Sequence, residues 1–435
     1  MQFNTNLRTR LMSLSANQPK EWRTTGKGAR PGLHGLIRYP AMMVPSMQGD
    51  ILDAIIDAKG SDFLVLDPFV GSGTTMSEAL TRGLDFTGVD INPLAILVCE
   101  AKAEIDRGVD ISGSFARLYA SLLHDTSSAV DVDFPGREKW FSAEAAANIS
   151  RIRRAIQEID DQIVRKLLWV VLADTIRVSS NSRTSTYKLH IREEGSSPDP
   201  MKIIPHFIAS VKLLIERAAS YREVVQSRAR RPLARLICGD LRTAPLAKSR
   251  KRSNVVITSP PYGDNQTTIP YGQYSYLALQ WIDAIDLPSD ALEMMKKNSH
   301  ALDSASLGGK VTSAARSDEV MAASVSLRAF QKQASAQGKV KETRKVLAFM
   351  QDYFDALKRI KPSTAGGTHW VFTTGNRRAA GLVVPFDQIN EDFAEYFGGR
   401  IVASIQRQLP VKRMPAKNSQ GEMITAETTM VAEFF

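Results

Sequence analysis

Two short segments of this 435-residue chain carry residues suited to chemistry. The first is the run Asp67, Pro68, Phe69, Val70, Gly71, Ser72, Gly73, Thr74, Thr75. Its two glycines allow a sharp backbone turn and close approach to a ligand. The helix expected after the turn offers free amide groups to an anionic group such as a carboxylate. A lone Gly-x-Gly turn is often purely structural, but the preceding Asp-Pro-Phe favours a ligand site here.

A carboxylate, Asp90, is expected at the tip of the next strand. It suits the two ribose hydroxyls of a nucleoside cofactor, which need an acceptor. The glycine spacing differs from the dinucleotide pattern G-x-G-x-x-G, so NAD is not expected. The sequence contains no His/Cys/Asp cluster with metal-ligand spacing, and we expect no metal.

The second segment is Thr258, Ser259, Pro260, Pro261 and Tyr262, directly after the apolar residues VVI. Two successive prolines cannot continue a sheet ladder, and they fix a rigid turn at a strand end, where α/β sheets place their sites. A hydroxyl and a main-chain carbonyl there could both accept hydrogen bonds from one amino group, and Tyr262 offers a flat face for stacking a base. The tetrapeptide alone could be an ordinary turn. Its position after a predicted strand, in a chain that also has the first segment, favours a functional role.

The surrounding pattern predicts the elements that position these residues. The apolar run FLVL is typical of a buried strand, a helix is expected to begin near Thr74, and DFTGVDIN predicts a second strand. This is the strand–turn–helix–strand unit of a doubly wound parallel sheet. Residues 346–360 predict a helix, and further strands are predicted in ARLICGDL, VVITSPPYG, THWVFTTGN, RIVASIQRQL and ETTMVAEFF.

We therefore predict one discontinuous catalytic domain, formed by residues 38–100 and 233–435. Residues 101–232 carry apolar residues at three- and four-residue spacing and are expected to form a helical insert, a candidate for target recognition. Residues 285–345 are polar and are expected to form a second helical, mobile insert. Residues 1–37 are expected to be an N-terminal arm; residues 1–30 are polar and basic and are expected to form an arm or a loosely ordered lead.

The net charge of +10 suits a protein that meets a polyanion, because Lys and Arg release counterions from phosphates. A basic loop and a second basic stretch could hold phosphates, although each alone also fits a solvated face. Their residues are Lys248, Arg250, Lys251 and Arg252, and Arg228, Arg230 and Arg231.

Two cysteines, Cys99 and Cys238, argue against a disulfide framework and fit a reducing cytoplasm. The first 22 residues have no apolar core of signal-peptide length, and we expect no secretion signal. A run of about 18 apolar residues is also missing from the sequence, so a membrane span is not expected.

The two segments together resemble the motifs of DNA amino-methyltransferases, which methylate adenine at N6 or cytosine at N4. FVGSG (69–73) is similar to the family's cofactor loop, and SPPY (259–262) to its catalytic motif in the form that typifies the cytosine branch. The adenine branch usually has Asp or Asn where Ser259 stands. RYPAMM resembles the segment that packs on the cofactor's methionine end, GVDINPLA the ribose-binding strand, and CGDL the position that touches the cofactor's adenine. THWVFTTGNRRAAGLVVP and the closing QRQLPVKRMPAKN and AETTMV resemble later core strands.

This resemblance implies an α/β fold, the Rossmann-like fold of S-adenosylmethionine-dependent methyltransferases with helical inserts. It implies a cofactor site formed by Tyr39, Pro40, Asp67, Pro68, Phe69, Gly71, Ser72, Gly73, Thr74, Asp90, Ile91, Asp240 and Leu241. The implied catalytic residues are Ser259, Pro260, Pro261 and Tyr262, with Lys248, Arg250, Lys251 and Arg252 as candidate DNA-binding residues. The implied partners are duplex DNA with a flipped target base and a separately acting restriction endonuclease, in a bacterial or archaeal cytoplasm.

Three alternatives stay open from the sequence. The first is an adenine-N6 enzyme of the same family. The second is an RNA base amino-methyltransferase, although those enzymes usually have Asp before the two prolines and a recognisable N-terminal RNA-binding domain. The third is a non-catalytic nucleic-acid-binding protein that kept the fold. Neither Cys99 nor Cys238 lies in the proline–cysteine context that attack on a ring carbon demands, so 5-methylcytosine is not an expected product.

Overall fold

A computed structural model describes residues 2–23, 30–246, 253–288, 298–310, 317–361, 367–409 and 425–435. Within these ranges the strands are β1 (Phe63–Asp67), β2 (Phe86–Asp90), β3 (Ala234–Cys238), β4 (Ser253–Thr258), β5 (Thr368–Thr374), β6 (Arg378–Ala379), β7 (Leu382–Val383), β8 (Arg400–Gln408) and β9 (Ala426–Phe434). All five segments that the sequence predicted as later strands contain a strand.

The helices of the described residues surround these strands. They are α1 (Gln2–Ala16), α2 (Pro45–Lys59), α3 (Thr74–Thr81), α4 (Pro93–Arg107), α5 (Ser112–His124), α6 (Arg137–Trp140), α7 (Ala143–Gln157), α8 (Gln162–Ser179), α9 (Ile203–Val225), α10 (Tyr271–Trp281), α11 (Ala301–Ala305), α12 (Ser317–Ala323), α13 (Val325–Ala336), α14 (Arg344–Ile360) and α15 (Phe386–Tyr396). Short 3₁₀ turns lie at Lys20–Arg23, Gly32–Gly35, Pro200–Lys202 and Ala284–Asp286.

The main sheet among the described residues has the strand order β3-β2-β1-β4-β5-β9-β8. Neighbouring strands from β3 to β5 are parallel, whereas β9 is antiparallel to both β5 and β8. The chain order reverses between β1 and β4, the position where open α/β sheets bind ligands beyond the carboxyl ends of their strands. The predicted Rossmann-like α/β fold is confirmed.

Apolar residues alternate between the two faces of the sheet, and helices cover both faces. Along β4, Val255 and Ile257 pack into a cluster with α1, α2 and α3, whereas Val256 packs into a cluster with α13, α14 and α15. This two-sided burial explains why β1 and β4 read as continuous apolar runs. It also holds the strand ends, where both chemical segments begin, in fixed positions.

The helices between β2 and β3 form a separate apolar cluster with α10. Trp169 of α8, Phe207 of α9 and Trp281 of α10 are completely buried there. The helices predicted from this spacing at α7 and α8 are therefore confirmed. The assignment of residues 101–232 to target recognition, and the division of the chain into the domains given above, stay predictions.

The N-terminal segment differs from its expectation as a loosely ordered arm. Residues 2–16 form α1, which contacts α2 and β8 and buries Leu7 and Leu11 completely or nearly so. Trp22 is also buried, and its Nε1 donates to Asp50 Oδ2 at 2.7 Å. A loosely ordered lead was therefore the wrong expectation for residues 2–23. Two leucines four positions apart share one helix face, but their polar neighbours hide this pattern in the sequence.

The 285–345 insert is helical where the structure describes it, and it is more firmly packed than its polar composition suggested. Leu327, Phe330 and Ala334 of α13 are buried in the cluster beneath α14 and α15. Their spacing of three and four residues is that of one helix face. Across the described part of the chain, no helix combines the length and the apolar character that crossing a membrane requires.

Candidate active site

A cavity lies where β1, β2, β3 and β4 end. Small-molecule sites in α/β proteins commonly lie in a concave position of this kind. The predicted site residues that line it are Tyr39, Pro40, Pro68, Phe69, Gly71, Ser72, Thr74, Asp90, Ile91, Asp240, Leu241, Ser259 and Pro261. The fold therefore brings the glycine-containing segment and the Ser-Pro-Pro-Tyr segment to one cavity, although they are far apart in the sequence.

Four other predicted residues do not line this cavity: Asp67, Gly73, Pro260 and Tyr262. Asp67 is fully buried, and its Oδ1 accepts hydrogen bonds from Thr258 Oγ1 at 2.7 Å and from the Phe69 amide at 3.1 Å. The bond to Thr258 joins the end of β1 to the end of β4. Asp67 thus fixes the two segments relative to each other from beneath the cavity wall.

At two glycines the cavity extends to the protein backbone. A Cβ atom added to Gly71 would meet only the Tyr39 ring, at 3.6 Å, and one added to Gly239 would meet nothing within 4 Å. Gly71 also has φ of +49°, a left-handed conformation that disfavours other residues. Any side chain at either position would project into open space, where a ligand could instead approach the main chain.

The glycine-containing loop is held from below by α4. The buried Lys102 donates to the Ser72 carbonyl at 2.6 Å, and Cys99 Sγ donates to the Gly71 carbonyl at 3.4 Å. Burial lowers the pKa of Lys102 to about 8, because a charged amine loses its hydration there. Sequence reasoning missed Lys102, since a lysine on an amphipathic helix gives no sign that it will be buried.

Asp90 stands at the cavity wall after β2. Its Oδ2 accepts from the Gly71 amide at 2.8 Å and its Oδ1 from the Asn92 amide at 2.9 Å. Burial raises the pKa of Asp90 to about 6, although these two hydrogen bonds act in the opposite direction. Burial likewise raises the pKa of Asp67 to about 7, against the bond from Thr258. A ligand that brings hydroxyl donors or positive charge to the cavity would favour the ionised form of Asp90.

Asn92 links the segment around Tyr39 to the rest of the site. Its Nδ2 donates to Tyr39 Oη at 3.0 Å and to Ser275 Oγ at 2.7 Å, and its Oδ1 caps α4 at the Leu94 amide. The Tyr39 ring also stacks on Tyr271, with ring centres 5.9 Å apart. The cavity wall is thus aromatic on the side of Tyr39.

The three tyrosines that follow the catalytic segment have different positions. Tyr271 lines the cavity. Tyr274 lies behind it with its edge against Tyr39, and its hydroxyl donates to the Arg38 carbonyl at 2.6 Å. Tyr276 is buried in the helical cluster. Tyr271 is therefore the tyrosine of these three that contacts the cavity.

The catalytic turn places Ser259 and Pro261 at the cavity. Ser259 Oγ donates to Tyr262 Oη at 3.4 Å, and Tyr262 Oη donates to Glu427 Oε1 at 3.0 Å. The Tyr262 ring packs against the apolar cluster of α14 and α15 rather than facing the cavity. Its position therefore differs from that expected of a residue that stacks on a base.

Several other cavity residues could not be predicted from the sequence. The largest group, Leu302, Ala305, Ser306 and Leu307, comes from the first half of the second insert. Asn265 also lines the cavity; its Nδ2 donates to Asp303 Oδ1 at 3.3 Å, and its Oδ1 has no hydrogen-bond partner among the described residues. Met42, Met43, Asn92 and Gly239 belong to segments whose family resemblance was noted, but they were not singled out.

The predicted DNA-binding residues Lys248, Arg250, Lys251 and Arg252 lie outside the described residues. In the other basic stretch, Arg228 is an internal residue that donates to Asp106 Oδ1 and to the Leu80 carbonyl, and Arg230 pairs with Asp85. The Arg228 guanidinium is therefore occupied by partners inside the protein.

The described residues include no group of three or more His, Cys, Asp or Glu side chains arranged to hold a metal ion.

Comparison with known proteins gives two relatives. In an alignment 416 positions long, which covers 91% of this chain and 88% of the relative, the sequence is 27% identical to the type II methyltransferase M.MvaI of Kocuria varians. Over 72 residues, 17% of this chain and 13% of the relative, it is 29% identical to the type II methyltransferase M.MjaII of Methanocaldococcus jannaschii. No protein-family model matches the chain. Because the first match covers 91% of the chain, it spans both chemical segments.

Proposed function

We propose that this chain is a DNA methyltransferase that acts on cytosine. Its motifs predict the family, and its match over 91% of its length to a type II methyltransferase supports it. The methyl group would pass from S-adenosylmethionine to the exocyclic N4 amino group of a cytosine in duplex DNA. An adenine-N6 enzyme is the alternative within the same family.

One observation carries this proposal: the glycine-containing loop, the carboxylate of Asp90 and the hydroxyl of Ser259 all meet at one cavity. A cofactor loop and a catalytic turn that served separate purposes would not need a common cavity. Holding two reactants next to each other is itself a large source of rate enhancement, worth several kcal/mol, on the order of 7–11 at best.

The residues present fit the proposed cofactor. The backbone at Gly71 and Gly239 is open to a close ligand, and Asp90 offers an acceptor for ribose hydroxyls. The aromatic side of the cavity suits the aliphatic part of the cofactor's methionine. When bound, S-adenosylmethionine supplies an electrophilic methyl group on its sulfonium. Asp240 and Leu241, after β3, line the same cavity and would contact the adenine ring.

The chain's contribution to the reaction is to prepare the amine. An aromatic amine is a poor nucleophile because its lone pair is delocalised into the ring. Hydrogen bonds from the amino hydrogens to Ser259 Oγ and the Pro260 carbonyl would localise that lone pair on nitrogen. The bond between Thr258 and Asp67 holds this turn at a fixed position relative to the cofactor loop. No covalent enzyme intermediate is needed.

Ser259 is the residue that favours cytosine. A serine hydroxyl is a neutral acceptor, whereas the adenine branch usually has a stronger amide or carboxylate acceptor there. The amino group of cytosine is already polarised by its ring, so a weaker acceptor suffices. The target base lies inside a duplex and must be flipped out to reach the cavity.

The net charge of +10 is compatible with a DNA substrate. We further infer that the enzyme acts in the cytoplasm of a bacterial or archaeal cell, alongside a restriction endonuclease that recognises the same sequence. The basic loop at Lys248, Arg250, Lys251 and Arg252 stays a predicted DNA contact.

Mass spectrometry of nucleosides tests the proposal. Duplex DNA is incubated with the protein and isotopically labelled S-adenosylmethionine, digested and analysed, with a reaction lacking protein as the control. We expect labelled N4-methylcytosine and no 5-methylcytosine. N6-methyladenine as the sole product would overturn the choice of cytosine but keep the family. A labelled product only on RNA would overturn the DNA substrate as well.

A further inference from the structure

A chain of polar contacts leads from Ser259 into the protein, and the chemistry described above makes no use of it. Ser259 Oγ donates to Tyr262 Oη, and Tyr262 Oη donates to Glu427 Oε1. Resting on the proposed function, we propose that Tyr262 and Glu427 are positioning residues that hold the Ser259 proton away from the substrate. Ser259 then presents only lone pairs to the target amine.

The direction of the chain follows from its last member. An ionised carboxylate can only accept hydrogen bonds, so Tyr262 must donate its proton to Glu427. Burial first, and then the charge of Glu427, raise the pKa of Tyr262 well above its ordinary value, so the phenol keeps that proton. The phenol oxygen is left as an acceptor, and it takes the proton of Ser259.

This direction matters because a hydroxyl can donate as well as accept. A Ser259 proton that pointed into the cavity would face the hydrogens of the target amine and repel them. With its proton directed to Tyr262, the same oxygen accepts from the amine. Successive hydrogen bonds also polarise one another, which makes Ser259 a stronger acceptor than an isolated hydroxyl.

The sheet holds the far end of this chain rigidly. Glu427 lies on β9 directly opposite Arg407 of β8, and the two side chains form an ion pair. Arg407 is 6% exposed, and its Nη1 also donates to the Trp22 carbonyl at 3.2 Å. A carboxylate with such partners has little freedom to turn away from Tyr262.

The contact between Ser259 and Tyr262, 3.4 Å, is long for a bond between hydroxyls. Catalytic hydrogen bonds are often long without substrate and tighten when the substrate binds. The position of the Tyr262 ring supports the same role, since the ring packs on the apolar cluster of α14 and α15 while its hydroxyl contacts Ser259.

Tyr262→Phe is the decisive variant. It keeps the ring, and therefore any stacking on the base, but it removes the hydroxyl that joins Ser259 to Glu427. Glu427→Gln keeps the shape of the side chain and removes its charge. The single-turnover rate of methyl transfer to cytosine is measured for each variant, together with the dissociation constant of S-adenosylmethionine by calorimetry.

Glu433→Gln serves as the matched control. Glu433 is another carboxylate on β9; it is buried, pairs with Arg400 at 3.5 Å and lies outside the cavity. We expect Tyr262→Phe and Glu427→Gln to lower the transfer rate about 10- to 100-fold, with cofactor affinity within twofold of the unmodified protein. Glu433→Gln should leave both quantities unchanged.

Several outcomes would overturn the proposal. A rate within twofold of normal in Tyr262→Phe would show that only the ring matters. A parallel loss of cofactor affinity would indicate a general structural role instead. If Glu427→Gln does not fold, Tyr262→Phe decides alone, because it leaves the pair of Glu427 and Arg407 intact. Failure of the unmodified protein to methylate any DNA base is a distinct result, which would overturn the proposed function and this proposal with it.

Discussion

The two segments that form the active site are held in place in different ways. The cofactor loop, residues 67–75, is fixed by partners close in sequence: Asp90, Cys99 and Lys102 lie 19, 28 and 30 positions from the loop residues they contact. The catalytic turn, residues 258–262, is fixed by distant partners. Thr258 bonds to Asp67 across 191 positions, and Tyr262 bonds to Glu427 across 165.

This difference suggests a division of labour. The strand–turn–helix–strand unit from β1 to α4 contains both the cofactor loop and the residues that support it. The catalytic turn acquires its geometry only when β4, β8 and β9 have joined the sheet. Variants in the loop should therefore change cofactor binding or folding, whereas variants in the turn should change the reaction rate alone.

Ser259→Ala is expected to have the largest effect. Loss of the hydroxyl acceptor at the reacting amine should lower kcat by about 10²- to 10³-fold, the usual cost of removing one preorganised hydrogen-bonding group. The interaction matters only at the reacting atom, so the affinity for S-adenosylmethionine should stay within about twofold. Turnover on DNA and calorimetric titration measure the two quantities.

A loss of cofactor affinity as large as the loss of rate would break the proposed division between loop and turn. Turnover and cofactor affinity are also measured for Thr75→Val, a variant in the cofactor loop. Thr75 is fully buried beside Asp67 and does not line the cavity.

The same contrast explains what the sequence could predict. The cofactor loop was found because its glycines, Asp90 and the flanking strands all lie within one short stretch. Ser259 was found because two prolines follow a strand. Glu427 was not found, since nothing in the residues around it indicates that β9 will begin beside Tyr262.

The fold was predicted best where one element has one strong pattern. The buried strands and α14 follow from periodicity, and their positions agree with the structure. The N-terminal helix was missed because only Leu7 and Leu11 mark its buried face. The cavity residues of α11 were missed because their contribution depends on how the insert packs near the ends of the central strands.

A pair of glycine variants sharpens the comparison within the loop. Gly71→Ala and Gly73→Ala both place a side chain at positive φ, which costs about 1–2 kcal/mol. The Cβ at position 73 would also lie 2.9 Å from Cys99 Sγ, so overpacking adds about 1–3 kcal/mol there. We expect urea unfolding to show the greater loss of stability for Gly73→Ala.

The added variant Cys99→Ala supplies a control for this explanation. In the Gly73→Ala background it should recover part of the stability, because it removes the atom that the new Cβ meets. Equal losses for the two glycine variants would contradict the assignment of Gly73 to the packed side of the loop. Gly71→Asp, by contrast, should abolish cofactor binding while leaving the protein folded, since its side chain enters the cavity.

The smallest expected effect is a dependence of cofactor affinity on pH. Burial raises the pKa of Asp90 to about 6 without ligand. The ionised carboxylate is the better acceptor for ribose hydroxyls and the better partner for a positively charged cofactor. Binding therefore favours loss of the Asp90 proton, and the bound-state pKa should lie below 6. Affinity for the cofactor should be constant above about pH 6, the pKa of Asp90 without ligand, and should decline as the pH falls below it.

We expect the decline to approach tenfold per pH unit below about pH 6, the limit for one coupled proton. Calorimetric titration of S-adenosylmethionine between pH 5 and 8 measures it. Asp90→Asn should bind more weakly at pH 8 and should flatten the profile, because the amide does not titrate. Asp50→Asn is the matched control: burial raises the pKa of Asp50 too, but this residue bonds to Trp22 and lies outside the cavity. Its variant should keep the normal profile. A profile that Asp90→Asn leaves unchanged would place the titrating group elsewhere and remove Asp90 from the proposed cofactor contacts.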